Sequence, residues 1–365
     1  MPTTELSKRL MLSLLLMACG GGGQVDGGSP NPDAGAEAVD SGSTTLDGGS
    51  GQGSVTDSGV DGPALDAGLS VEQRAAAAKA TAEGHALCVA VKPFYWEIGD
   101  GSAALGSGSV NAAGSSTTYT ATTTMLIASA SKWVYSTYFV QKKNGLLTAD
   151  DIKFFNFQSG YTKFLACGPT STVDACLASG MNGTFDASTE NTFAYGGGHL
   201  QKHASLNGLG AFNEAALATE MRSKIGTDIA LIYTSPQLAG GISTSAAEYA
   251  KMLRKIITGD LLMKGQLGAH PVCASPNICP AAATGSPAPD DESWSYSIGH
   301  WLESDPVVGD FAFSSAGAFG FYPWVDASKT VYGILARKDS PGTGFDSVKC
   351  GRLIRKAWLA GVPVL

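Results

Sequence analysis

The stretch from residue 125 to 147, MLIASASKWVYSTYFVQKKNGLL, constrains the fold most, because it predicts a buried helix. Val134, Tyr138 and Phe139 form an apolar stripe at helical spacing. Gly145 is suited to end the helix, since glycine readily adopts the left-handed conformation that follows a last turn. We therefore expect this helix to be a central element of the core.

Ser129 and Lys132 lie three positions apart near the start of this helix. That spacing places them on one face of the helix, where the lysine amine can reach the serine hydroxyl. A desolvated lysine can take the proton of a serine and so create a nucleophile. The alternative is a capping serine beside a surface lysine, a common pattern without any chemistry.

Charge is distributed unevenly along the 365 residues, which carry a net charge of −8. Residues 20–69 hold eight acidic residues and no Lys or Arg, and they contain almost no large apolar side chains. Such a segment buries too little surface to offset the entropy of ordering it, which predicts a flexible acidic tether. The remainder, residues 70–365, is nearly neutral and is expected to form the folded domain. Because it lacks a basic patch, nucleic acid is not an expected partner.

Residues 1–19 have the pattern of an export signal, with Lys8 and Arg9 ahead of a short apolar run. The run ends in LMAC, which resembles a bacterial lipobox and predicts lipidation of Cys19. By resemblance to Gram-negative lipoproteins, Gly20 after that cysteine favours the outer membrane. We therefore expect an exported protein that is lipid-anchored to the cell envelope and contacts the membrane through Cys19. A plain secretory peptide cleaved nearby is the alternative.

The cysteines beyond Cys19 form an even set, which in an exported chain predicts disulfides. Six cysteines allow fifteen pairings, and the sequence does not decide among them. We favour two short local loops and one bridge between the ends of the domain. The favoured pairs are Cys167 with Cys176, Cys273 with Cys279, and Cys88 with Cys350.

No cofactor and no metal are expected, since no C-x-x-C motif occurs and the five histidines are mostly scattered. His199 and His203 stand four residues apart, as zinc ligands on a helix can. The glutamate of a zincin motif is missing between them. A core or helix-surface role is therefore the favoured interpretation of both.

The order of predicted elements indicates an α+β fold, with terminal helices packed on one sheet and a long helical insert between the strands. A first helix opens with Ser70 as its cap, and a first strand covers residues 88–98. A later helix ends at Gly259 and starts from Ser243 or Thr244. The last predicted elements are two adjacent strands at 296–302 and 331–338 and a helix at 345–359.

Three landmarks together resemble the superfamily of serine β-lactamases, D-Ala-D-Ala peptidases and class C-like esterases. The first is Ser129-Ala130-Ser131-Lys132, similar to the family's Ser-x-x-Lys motif. The second is Tyr195 in FAYGGG, in the place of the family's Tyr-x-Asn. The third is Ser315-Ala316-Gly317, in the place of Lys/His-Thr/Ser-Gly. The resemblance covers roughly residues 70–365 and implies a β-lactamase/transpeptidase-like fold.

The resemblance also implies roles for single residues. Ser129 would be the nucleophile, Lys132 its base and Tyr195 a proton relay, although Tyr195 followed by glycines is also typical of a core tyrosine beside a turn. The backbone N–H groups of Ser129 and Ala318 would form an oxyanion hole. The residues implied to contact the substrate are Gly197, Ser315 and Gly317.

Two departures from the family pattern bear on the substrate. Gly197 replaces the asparagine of the second motif, and Ser315 replaces the basic residue of the third, which binds a substrate carboxylate in the family. An uncharged substrate is therefore favoured. Some aromatic residues are expected either to line an apolar acyl pocket or to belong to the core: Trp133, Phe319, Phe321 and Trp324.

These expectations favour a serine hydrolase that forms an acyl-enzyme on Ser129 and cleaves a small ester or amide. One alternative is a β-lactamase or D-Ala-D-Ala carboxypeptidase acting on lactams or peptidoglycan. A second alternative is a catalytically weak module that binds cell-wall or glycan ligands, which the two degraded motifs would permit.

Overall fold

A computed structural model of the protein describes residues 68–165, 167–168, 171–338 and 344–365. The expected signal at 1–19, with Cys19, and nearly all of the expected tether at 20–69 lie outside the described residues. Within the described residues, no helix combines the length and the apolar character that crossing a membrane requires.

The described residues contain nine α-helices, which we number in chain order. They are α1 (Val71–Gly84), α2 (Ala86–Val89), α3 (Ser131–Lys142), α4 (Ala149–Phe155), α5 (Val173–Leu177), α6 (Gly198–Ala204), α7 (Glu214–Ile225), α8 (Ala246–Thr258) and α9 (Phe345–Ala360). Short 3-10 turns cover Ala128–Ala130, Ala187–Thr189 and Leu262–Gln266, and a π-type turn covers Ser205–Leu209.

The described strands form one large sheet and two small ones. The strands are β1 (Phe94–Asp100), β2 (Ala104–Val110), β3 (Met125–Leu126), β4 (Phe193–Ala194), β5 (Ile232–Tyr233), β6 (Ile242–Thr244), β7 (Val272–Cys273), β8 (Ala283–Gly285), β9 (Ser295–Ser297), β10 (His300–Leu302), β11 (Phe313–Ser314), β12 (Tyr322–Val325) and β13 (Val331–Ala336). The large sheet has eight strands in the order β2-β1-β13-β12-β11-β10-β9-β7. Its paired strands are all antiparallel, which confirms the expected antiparallel sheet of an α+β fold.

Helices cover both faces of the large sheet. Successive residues of a strand point to opposite faces. On one face of β13, the Tyr332 hydroxyl accepts a hydrogen bond from Arg254 of α8 at 2.8 Å. On the other, Leu335 packs beside Gly351 of α9. Helix α9 also holds α1, because Arg74 donates to the carbonyl of Leu359 at 2.6 Å. The terminal helices therefore pack together on one face, as expected.

The start of the chain differs in one respect from the expectation. Ser70 caps α1 as predicted, and its hydroxyl accepts from the backbone N–H of Gln73 at 3.3 Å. The predicted strand from residue 88 is wrong over its first residues, because Cys88 lies in α2. The His85 side chain accepts from Leu87 N at 3.1 Å and so starts a further helical turn. Strand β1 begins only at Phe94.

The cap of α8 is Ser245 and not Ser243 or Thr244. Residues Ile242–Thr244 form β6, which pairs with both β3 and β5. Their backbone is therefore extended and cannot begin the helix. Ser245 follows this strand directly, and its hydroxyl accepts from Glu248 N at 3.3 Å.

The predicted strand at 296–302 is a hairpin of two short strands, β9 and β10. Ile298 and Gly299 form its turn with φ values of 37° and 77°. Positive φ at both central residues matches the turn that follows the right-handed twist of hairpin strands. The predicted adjacency to the strand at 331–338 is also wrong, because β11 and β12 lie between β10 and β13.

The three favoured disulfides are confirmed: Cys88 with Cys350, Cys167 with Cys176, and Cys273 with Cys279. The aromatic residues considered for an acyl pocket belong mainly to the core. Trp133, Phe321 and Trp324 are at most 2% exposed, whereas Phe319 is half-buried. The core interpretation therefore holds for three of these four side chains.

Candidate active site

The segment just before Ser129 is held by hydrogen bonds of the small β3-β6-β5 sheet. Ile127 N donates to the carbonyl of Ile242 at 3.1 Å, which continues the pairing of β3 with β6. The next residue, Ala128, has a φ of 44°, a left-handed conformation that alanine rarely adopts. Strained backbone of this kind concentrates at functional sites, where the surrounding structure holds it. The chain then turns through Ala128–Ala130 into α3.

The structure brings Ser129 and Lys132 into direct contact. Lys132 Nζ lies 2.8 Å from Ser129 Oγ and donates to the backbone carbonyl of Ala239 at 3.0 Å. Lys132 is only 4% exposed, so its amine lies in a largely water-free environment. The alternative of a capping serine beside a surface lysine is therefore wrong for this pair.

Tyr195 approaches the same amine through the face of its ring. Lys132 Nζ lies 4.8 Å from the ring centroid, within the range of a cation–π contact. Trp301 stacks on the ring at 5.4 Å between centroids, and Tyr296 meets it edge-on at 6.1 Å. Among the described residues, none forms a hydrogen bond with the Tyr195 hydroxyl. The phenol is therefore held in place by contacts of its ring and not by a hydrogen bond of its hydroxyl with a described residue.

The glycines after Tyr195 make room for the protein's own backbone. A Cβ on Gly196 would lie 2.1 Å from the carbonyl oxygen of Thr162, and a Cβ on Gly198 would lie 2.5 Å from that of Tyr161. Phe164 packs beside Gly197 at 3.0 Å from the same kind of built atom. These glycines thus let the segment around residues 161–164 pack against the loop that carries Tyr195.

The third sequence landmark lies beside the nucleophile. Ser315 continues the pairing of β11 with β12, since its N–H donates to the carbonyl of Pro323 at 3.1 Å. Its hydroxyl donates to the carbonyl of Ser129 at 3.3 Å. Gly317 is pressed against Ile127, where a Cβ would lie 2.1 Å from the carbonyl oxygen. Only glycine allows this approach, so the segment 315–317 and the Ser129 turn are fitted to each other.

The predicted oxyanion hole consists of two backbone N–H groups, those of Ser129 and Ala318. Outside the hydrogen bonds within helices and strands, neither Ser129 N nor Ala318 N donates to the backbone of a described residue. The predicted oxyanion hole needs such free donors, directed at the oxygen that becomes charged.

Across the described ranges, no group of three or more His, Cys, Asp and Glu side chains could hold a metal ion.

His199 and His203 are core residues, as favoured. His199 lies 2.6 Å from Ser159 Oγ through Nδ1 and 2.9 Å from the carbonyl of Ala194 through Nε2. Burial lowers the pKa of His199 to about 4, so the ring is neutral at pH 7. His203 lies between the Tyr135 hydroxyl and Asp151, at 2.8 and 3.0 Å. Both side chains brace the helical insert around Tyr195.

Sequence reasoning missed the Ala239 carbonyl and the aromatic neighbours of Tyr195. The AGG phrase at 239–241 pointed to a turn there, but every residue has a carbonyl, and no sequence pattern marks the one that binds a lysine. Trp301 and Tyr296 meet Tyr195 across about 100 residues of chain. The sequence signal for this contact is that Tyr296 and Trp301 face each other across the β9–β10 hairpin.

Solved structures share this architecture. A protein from Bacteroides dorei assigned as a β-lactamase matches with a TM-score of 0.51 at 16% identity, over 72% of this chain and 93% of its own. The β-lactamase/D-alanine carboxypeptidase of Yersinia pestis matches with a TM-score of 0.56 at 11% identity, over 79% of this chain and 99% of its own. This chain has a β-lactamase/transpeptidase-like fold.

No protein-family model and no curated protein sequence matches the chain. At the identities above, the likeness is one of fold. The β-lactamase-like fold confirms the architecture implied by the three sequence landmarks, and it places all three around one point. The chemistry of this site has to be argued from its own side chains.

Proposed function

We propose that the protein is a serine hydrolase that forms an acyl-enzyme on Ser129. The contact of 2.8 Å between Lys132 Nζ and Ser129 Oγ, made by a lysine that is 4% exposed, carries this proposal. A serine hydroxyl is a weak nucleophile until a base accepts its proton. Lys132 is the one titratable side chain that forms a hydrogen bond with Ser129 Oγ within the described residues, and we propose it as that base.

In the proposed reaction, the proton of Ser129 Oγ passes to Lys132 as the oxygen attacks the carbonyl carbon of an ester or amide. The charge that develops on the carbonyl oxygen would be stabilised by Ser129 N–H and Ala318 N–H. The Tyr195 hydroxyl would deliver a proton to the leaving group, which departs as an alcohol or amine, and Tyr195 would regain a proton from Lys132, so that both side chains return to their starting states. Water then attacks the acyl-enzyme, and the proton it gives up returns to Ser129 Oγ as the acid is released.

The side chains around the site favour an uncharged acyl donor. Ser315 stands where the resemblance implies a basic residue, and its hydroxyl is engaged with the Ser129 carbonyl. Because a serine stands in that place, a substrate carboxylate would lose its water without gaining the ionic partner that the basic residue gives in the family. Esters and amides without a carboxylate near the reacting carbonyl are therefore the proposed substrates.

The decisive experiment is labelling with a fluorophosphonate probe, followed by identification of the modified residue. We expect label on Ser129 in the wild type and none in Ser129→Ala, with loss of p-nitrophenyl ester turnover in the same variant. Circular dichroism controls for the fold. Undiminished ester turnover in Ser129→Ala would contradict the proposal, and absent labelling with ligand-dependent thermal shifts would favour a binding module.

A second candidate is a β-lactamase or D-alanine carboxypeptidase, which the name of the Yersinia pestis structure suggests. Hydrolysis of nitrocefin, or stable labelling by a fluorescent penicillin with loss in Ser129→Ala, would favour it. Turnover of neutral esters without either reaction would favour the first candidate.

We also propose export and lipid anchoring at Cys19, on the residues of the signal alone. Growth with a labelled fatty acid should give a labelled protein that fractionates with the outer membrane. Cys19→Ala should abolish the label, whereas Cys88→Ala should retain it. An unlabelled wild type would contradict the anchor and leave the proposed chemistry untouched.

A further inference from the structure

Gln201 is a fully buried amide on α6, six residues after Tyr195. Its Nε2 donates to the carbonyl of Pro236 at 2.8 Å and to that of Val173 at 3.2 Å. Its Oε1 accepts from the N–H of Leu238 at 3.3 Å. The single side chain thus joins α6 to the segment 236–238 and to the first residue of α5.

These three contacts use both N–H groups and the oxygen of the amide. Two carbonyls face its nitrogen and one N–H faces its oxygen, so only one orientation of the amide satisfies all partners. A buried polar group without a partner is costly, and the amide and the three backbone groups therefore stabilise one another in this arrangement. The segment 236–238 is held at both of its ends.

The next residue along this segment is Ala239, whose carbonyl accepts from Lys132 Nζ at 3.0 Å. Gly197, which replaces the asparagine of the family's second motif, has no side chain that could bond the amine. Within the described residues, the amine is oriented by Ser129 Oγ, by the Ala239 carbonyl and by the face of the Tyr195 ring. The position of the Ala239 carbonyl therefore influences whether the Lys132 amine stays within hydrogen-bonding distance of Ser129 Oγ.

We infer that Gln201 is a positioning residue for the reaction proposed above. It fixes the segment 236–238 so that the Ala239 carbonyl holds Lys132 against Ser129 Oγ. Because Gln201 lies on the helix that follows Tyr195, the same side chain also sets the Tyr195 loop relative to the Ala239 carbonyl. This inference rests on the proposed function, since it assigns a role in proton transfer by Lys132.

The experiment compares Gln201→Met with a matched control, Asn156→Leu. Asn156 is also a buried amide that joins two segments, since it donates to the carbonyl of His270 at 2.6 Å and accepts from Ile298 N at 2.8 Å. Each variant removes an amide and keeps an apolar side chain of similar length. Melting temperatures and circular dichroism establish whether both proteins fold.

We expect Gln201→Met to lower the rate constant of fluorophosphonate labelling and kcat for a neutral ester by about 10- to 100-fold, because misplacing a catalytic base by about 1 Å has effects of that size. The KM for the ester should change by less than about threefold, since ground-state binding does not involve Lys132. Asn156→Leu should lose stability to a similar degree and keep its labelling rate within about threefold.

A double-variant cycle with Lys132→Met separates positioning from general damage. If Gln201 acts through Lys132, adding Gln201→Met to Lys132→Met causes no further loss, whereas independent effects multiply. Labelling of Gln201→Met at the wild-type rate, an equal loss in Asn156→Leu, or multiplied losses in the cycle would each overturn the positioning role alone. Failure of the wild type to be labelled would overturn the proposed function, and the inference with it.

Discussion

At the scale of single residues, the site depends on one buried amine and the groups that surround it. Lys132 combines low exposure with a serine oxygen, a carbonyl and an aromatic face as neighbours. The ring of Tyr195 and its hydroxyl have separable tasks in the proposed reaction. The ring packs against Trp301 and Lys132, while the hydroxyl is free of protein partners among the described residues.

The two tasks of Tyr195 can be separated by substitution. Tyr195→Phe keeps the ring and should leave the stability within about 0.5 kcal/mol, because no hydrogen bond with a described residue is lost. We expect its kcat for an amide to fall about 100-fold through loss of the proton relay. Tyr195→Leu should in addition lose about 1–3 kcal/mol of unfolding free energy with the aromatic contacts. Equal kinetics of wild type and Tyr195→Phe would exclude the relay.

His199 makes the stability of the fold depend on pH. Its pKa is about 4 in the folded protein, because burial disfavours the charged ring, and about 6.5 in an unfolded chain. As pH falls from 6.5 to 4, the unfolded chain gains a proton that the folded chain does not accept. The folded state should therefore lose about 1.4 kcal/mol per pH unit across this window from this residue.

Urea unfolding at several pH values tests this expectation. His199→Gln removes the titrating group, so the dependence of its unfolding free energy on pH between 6.5 and 4 should be shallower by about one proton. Its stability at pH 7 should also fall, since Ser159 and Ala194 lose a fitted partner. An unchanged slope in the variant would show that His199 does not carry this dependence.

At the scale of elements, α9 is joined to the far half of the large sheet by buried charges. Arg355 is fully buried and donates to Glu303 at 2.8 Å and to Asp310 at 2.7 Å. Arg352 donates to the same Glu303 at 3.0 Å. Burial tends to raise the pKa of Glu303, but the two guanidinium groups outweigh it and hold that pKa below its usual range.

Removing the shared anion should unfold the protein more easily. Glu303→Gln leaves two buried guanidinium groups with one carboxylate fewer, which typically costs about 3–5 kcal/mol. Denaturant unfolding monitored by tryptophan fluorescence gives this value. The control is Lys79→Met, which breaks an exposed contact of 3.9 Å with Glu83 and should cost less than about 0.5 kcal/mol. A similar cost in both variants would contradict a structural role for the cluster.

At the scale of the whole molecule, one disulfide joins the two ends of the folded domain. Cys88 and Cys350 are 262 residues apart in sequence, whereas Cys273 and Cys279 are six apart. A cross-link restricts the unfolded chain more strongly when it closes a longer loop. The Cys88–Cys350 bridge thus acts on the entropy of almost the entire described chain.

Two double-alanine variants test this difference under oxidising conditions. Removal of Cys88 and Cys350 should lower the unfolding free energy by about 5 kcal/mol, and removal of Cys273 and Cys279 by about 2 kcal/mol. Melting temperature and urea midpoint measure both. The reverse order of the two losses would show that local packing, and not loop closure, dominates the contribution of these bridges.

Elements whose signals are local were predicted well from the sequence. Helix α3, the Ser70 cap and α9 follow from spacing, capping and turn residues that lie within one segment. The hairpin at Ile298 and the Ser245 cap were missed for a shared reason. Both depend on which strand pairs with which, and pairing partners are distant in sequence.

The sequence by itself predicted the contact between Ser129 and Lys132, because residues three apart in continuous helical turns lie on one face. It also predicted the antiparallel α+β architecture, whereas the three cystine pairs were only favoured among fifteen pairings until the structure decided them. Only the tertiary structure decided what surrounds the pair. The Ala239 carbonyl reaches Lys132 and the Trp301 ring reaches Tyr195 from separate segments. No local pattern of residues encodes contacts that form only when the whole chain has folded.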